Sequence, residues 1–151
     1  MPLVRVQHWA ERSFHRFLLA RAKQPFAWGT NDCALFAADA VLAITGTDIA
    51  VDFRGKYSDE AGAFALIQSV TGRGEDPATA VADAAAWCAE KAGLAELQHV
   101  LMAQRGDLVV VTDAGRMIAG VVHLSGRHVV SVGAEGLKLL PIEDVVRAWR
   151  V

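Results

Sequence analysis

Cys33 stands in the stretch FAWGTNDCALFAADAV, residues 26–41, where a polar elbow runs into an apolar helical pattern. Thr30, Asn31 and Asp32 are all residues that cap helix N-termini, so a helix is predicted to begin within a residue of Cys33. A thiol there meets unsatisfied backbone N–H groups and the positive end of the helix dipole, and both favour thiolate. The same amides could donate to the oxyanion formed when a thiolate attacks an acyl carbon. This is the chemistry of a cysteine acyl-transfer nucleophile. The same residues also read as plain packing: cysteine is among the most buried residue types, and Ala34, Leu35 and Phe36 belong in a core.

The neighbouring candidates each carry two readings. Asp32 either caps the helix or orients a reacting group. Trp28, next to Gly29, sets the approach to the elbow. Tyr57 is the only tyrosine and follows Arg-Gly-Lys; it lines a cleft near the helix start or packs on the core. Asp107, in RGDL, is expected to fix the turn at the start of a strand. Cys88 lies beside Trp87 in an alanine-rich helical pattern and reads as a core thiol with a raised pKa, so Cys33 is expected to be the more reactive of the two. His8 and His15 are seven apart on one side of a helix and read as surface positions. No CxxC or HxxxH spacing is present and the five histidines are dispersed, so neither a metal nor any other cofactor is expected.

These residues must be positioned by helices first and strands after. Residues 6–22 place Trp9, Phe14, Phe17 and Leu18 at helical spacing, and Pro25 stops that helix. The helix from Cys33 to Thr45 is apolar nearly all round and ends at Gly46, which makes it the buried centre of the fold. A third helix is predicted over residues 59–70. A fourth follows with Asp76 as N-cap and Pro77 at the first helical position, closed by Gly93. From Arg105 the period changes from helical to alternating. RGDLVVV, MIAGVVHL, RHVVSVG and GLKLLPI are short strand-like runs joined by glycine turns, and AWRV is a last edge strand or tail. The prediction is a single α+β domain over residues 1–151, with an antiparallel meander packed on the central helix.

With 151 residues, 53% of them hydrophobic and 21% charged, the chain is long and apolar enough to bury a real core. The net charge of −2 and the scattered Lys and Arg exclude a basic stripe for nucleic acid. No apolar run reaches the roughly 18 residues of a membrane span. The start, MPLVRVQHWAERSF, lacks a secretory core, so the expected location is the cytoplasm when the chain is made.

The order WGTNDCALFAADAV, TGTD, FRGKY, RGDLVVV, a Gly-Val-Val strand, GL and AWRV resembles the NlpC-type, papain-like cysteine peptidase superfamily, and most closely a branch of small phage and prophage tail-associated proteins. The resemblance implies a papain-like fold with the cysteine at the start of the central helix. It also implies peptidoglycan peptides or other tail proteins as partners, and incorporation into a virion or tail particle. Active members carry a histidine at the start of the second strand, just before a Gly-Ile-Tyr-like segment. Here that segment is Gly120-Val121-Val122, so the histidine position falls on Ile118 or a neighbour, with Met117 to Ala119 facing Cys33. The third polar residue of the family falls on Ser131. His123, at the far end of that strand, is the remaining base candidate, with His128 close to it across the turn. The resemblance therefore implies a tail or assembly protein derived from a peptidase and lacking its usual histidine, or else an active peptidase or amidase with a recruited one.

Overall fold

The computed structural model describes residues 3–151. One π-helical turn, Trp9–Phe14, runs into α1 (His15–Arg21); α2 (Cys33–Thr45), α3 (Glu60–Thr71) and α4 (Ala80–Ala92) follow. The strands are β1 (Ala95–Glu96), β2 (Leu108–Asp113), β3 (Arg116–Val122), β4 (His128–Gly133), β5 (Gly136–Pro141) and β6 (Val145–Arg150). They form one antiparallel sheet in the order β1-β6-β2-β3-β4-β5. The domain is α+β, with helices before strands.

Strand alternation divides the sheet into two buried faces. Leu108, Val110, Ala119, Val121, Val130, Val132 and Trp149 point to the helices and join a core with Phe36, Val41 and Ile44 of α2. Val109, Val111, Val122, Val129, Leu140 and Ala148 point the other way and are covered by Leu97, Val100, Ala103 and Ile142. Gly120 lies where β3 meets β4; a Cβ there would stand 2.7 Å from both Val129 Cγ1 and the Val130 carbonyl. A larger residue would prise these strands apart. Among the described residues no helix is long and apolar enough to cross a membrane.

Three elements depart from the pattern in the sequence. The helix expected over residues 6–22 starts at Trp9, after His8 in the left-handed region (φ 59°), and its first turn is π-helical. A π turn brings residues five apart onto one side, which sets the Trp9 and Phe14 rings 6.3 Å apart and continues the stack to Phe17. The fourth helix starts at Ala80, not at Pro77. Asp76 caps a preceding turn instead, accepting the Ala78 N–H at 2.9 Å. The terminal AWRV is neither edge nor tail: it ends β6, which crosses back to lie between β1 and β2. Trp149 and Ala148 are buried on opposite faces there, as an interior strand requires.

Asp107 closes this return. Its fully buried carboxylate accepts from the backbone N–H groups of Gln104 (2.9 Å) and Val151 (3.0 Å) and pairs with Arg5 (2.9 Å) and Arg150 (3.1 Å). The role in the turn at the start of β2 holds, and the carboxylate also ties both ends of the chain to that turn. Arg5 reaches the Val151 and Arg105 carbonyls from the other side, at 2.9 and 2.7 Å. Asp107→Ala removes the centre of this cluster and strands two guanidinium groups, so unfolding in urea should show a loss of about 3–5 kcal/mol.

Candidate functional site

α2 begins at Cys33 because Asp32 closes its open end. Asp32 Oδ1 accepts the Leu35 N–H at 2.9 Å, while Oδ2 accepts the Gly29 N–H at 3.0 Å and the Tyr57 hydroxyl. The carboxylate is buried and every donor within reach is spent on structure. Of the two roles open to Asp32, the geometry is that of the cap. Tyr57 thus joins the elbow to the segment that follows α2, and burial, then the Asp32 charge, raise its pKa. Gly29, at φ 79°, passes so close to the Tyr57 carbonyl that a Cβ would collide with it. Trp28 packs edge-on against Phe26 (4.9 Å between ring centroids) and, more distantly, Phe64 (6.3 Å), which holds the elbow from the solvent side.

A second layer of charge, missed in the sequence, braces the same helix. Asn31 accepts from Arg21 at 3.0 Å and donates to the Gln24 and Pro25 carbonyls. Arg21 also pairs with Asp39 at 2.5 Å, and Arg54 bridges Asp39 (2.7 Å) and Asp48 (2.9 Å). Arg54 holds the Asp48 carboxyl below its ordinary range. The one available signal was an aspartate in the middle of an otherwise apolar helix, where a charge must be paired.

The Cys33 side chain lies against β3 at Ala119 and is 8% exposed. Burial drives its pKa up to about 11, with the Asp32 charge adding to the rise; backbone hydrogen bonds involving Ala119, Ala34 and Cys33 itself pull the other way and lose. The thiolate expected from the helix start is therefore not present. Desolvation exceeds the dipole because the sulfur is shut off from water. Cys88, 7% exposed, is raised by burial to about 12.

The position facing Cys33 is Ala119, within the expected Met117 to Ala119 span, and it carries only a methyl group. Ile118 points to the far face of the sheet, with the second core. Ser131 shares the Val129 side of β4 by alternation and donates to the Ala119 carbonyl at 2.7 Å. It braces β3 and does not face the thiol. His123 lies four residues beyond Ala119, roughly 13 Å along the strand. Its Nδ1 accepts the Ser125 N–H at 3.0 Å, and its backbone N–H donates to the His128 carbonyl at 2.8 Å. Burial, then His128, lower its pKa. As a base for Cys33, His123 is out of reach; it caps the β3–β4 turn. Among the described residues, no three His, Cys, Asp or Glu side chains are grouped to hold a metal ion.

The family described as a domain of unknown function, DUF6950, matches residues 4–151. No curated protein and no solved structure matches the chain.

Neither thiol should react with iodoacetamide at pH 7–8 until the protein unfolds, in place of early labelling at Cys33. Both ionise at higher pH in the fold than the ordinary 9.0. Stability is accordingly full below about pH 9 and falls as pH rises towards the folded values, by up to about 1.4 kcal/mol per pH unit for each thiol. Denaturant titrations between pH 8 and 11 measure this slope, and Cys33→Ala should reduce it.

Proposed function

Because the chain belongs to the DUF6950 family, whose description assigns no function, we propose its role from the site: a phage or prophage tail-associated or assembly protein derived from an NlpC-type cysteine peptidase that lacks the histidine and no longer hydrolyses peptide bonds. The observation that carries the loss of hydrolysis is the contact between Cys33 and Ala119. A cysteine at the start of a central helix, packed on an antiparallel sheet, is the arrangement the resemblance implies. The Ala119 side chain is a methyl group and cannot act as an acid or base; only the backbone of Ala119 hydrogen-bonds at the thiol.

Peptide hydrolysis by a thiol needs three things from the protein. The sulfur must ionise, the substrate carbonyl must reach it, and the leaving amine must be protonated. Here burial opposes both the first and the second. The third finds no free donor among these groups, since the Asp32 carboxylate is committed to three hydrogen bonds and the nearby Tyr57 hydroxyl donates to it. A positioned base alone is worth about 10²–10⁴ in rate, so its absence removes efficient turnover. What remains of the site is a tightly tied helix start with structural value, suited to a particle component. The tail association itself is carried by the resemblance.

Two measurements test the two halves. Purified protein incubated with peptidoglycan stem peptides should release no fragments above a Cys33→Ala control; cleavage that depends on Cys33 would revive the active peptidase or amidase. Mass spectrometry of tail particles from a lysogen encoding the protein, with and without its gene, should find the chain in the particles or incomplete tails without it. Complete tails in its absence, free of the chain when it is present, would end the tail assignment.

A further inference from the structure

Beneath the Cys33 elbow, α2, α3, α4 and the sheet fail to close completely. They leave a cavity of about 50 Å³, walled largely by alanines, among them Ala34, Ala37, Ala38, Ala63, Ala84 and Ala119. Leu35, Phe53, Ile67 and Leu108 complete much of the apolar wall. Tyr57 and Cys88 are the only lining residues with a polar side-chain atom. The Tyr57 hydroxyl is already donated to Asp32, and a thiol is a weak partner for water.

A water molecule occupies about 30 Å³ in the liquid and needs two to four polar partners to stay in a protein interior. This cavity is large enough but cannot supply the partners, so water is a poor occupant. Its shape and lining suit a molecule that asks for no hydrogen bonds. An aromatic ring needs a cavity of roughly 150 Å³, so only something much smaller fits. Ile49 and Cys88 also line a second hollow at the surface, beside Asp52 and Lys91. Ile49 and Cys88 are thus shared between the cavity and this surface hollow, and the half-buried Ala34, Tyr57 and Ala85 bring the cavity wall to the surface as well.

We propose that the alanine-lined cavity between α2, α3, α4 and β3 is a binding site for a free aliphatic molecule of about two or three carbons. The lining alone carries this, and it stands whether or not the chain descends from a peptidase.

The test uses the whole chain with ¹³C-labelled alanine methyl groups, titrated under pressure with xenon and, separately, with propane. Saturable shifts concentrated at Ala34, Ala63, Ala84 and Ala119 are expected with both gases, and benzene should produce none. Ala84→Leu fills the space and should abolish the saturable response, as should the smaller Ala63→Val if the first variant does not fold. Ile67→Ala enlarges the cavity and should admit benzene. Shifts that grow linearly with pressure in the wild-type protein, or saturable shifts that survive in a folded filled variant, would overturn the proposal.

Discussion

The buried carboxylate of Asp32 holds together three pieces of chain that have no other reason to meet. It caps α2 through Leu35, fixes the elbow through Gly29, and draws in the following segment through Tyr57. A carboxylate with this little water is costly unless its lone pairs are filled, and each of its three donors lowers that cost. Once α2 starts at Cys33, its apolar surface has one place to go. The helix lies on β3 and β4.

The same logic recurs twice. Asp39, in the middle of α2, is paired by Arg21 from before the helix and Arg54 from after it, so the helix is pinned by charge on a face that could not be buried alone. Asp107 performs the equivalent task for the sheet, drawing β6, the N-terminal segment and the turn before β2 onto one carboxylate. Three aspartates thus set the positions of segments that the apolar core would otherwise leave free to slide.

The alanine content of α2 and α4 has a chemical consequence at Cys33. Small side chains let the helices approach the sheet closely, which seals the sulfur, yet they also leave the cavity beneath it unfilled. An empty space of about 50 Å³ costs roughly 1 kcal/mol at the rate found for core cavities. The arrangement that removes water from the thiol is the one that cancels the helix dipole's help. A nucleophile needs a mouth as well as a helix start, and the Cys33 side chain is buried.

The sequence by itself determined the class of the fold and the start of its central helix. The polar elbow, the apolar run from Cys33 and the change of period at Arg105 are local signals, set by capping and by which side chains repeat on one face. Other features were decided only by tertiary structure. The ionisation of Cys33 depends on its burial in the assembled fold, and no local pattern reports that. The interior place of β6 depends on an apolar face completed by Leu97, Val100 and Ala103, far away in sequence. The partners of Asp39 lie 18 residues before it and 15 after it, so its pairing became visible only when Arg21 and Arg54 met across the helix. The far-end position of His123 was legible in the sequence, but its role was not: only the folded turn shows its Nδ1 accepting the Ser125 N–H and its backbone N–H donating to the His128 carbonyl.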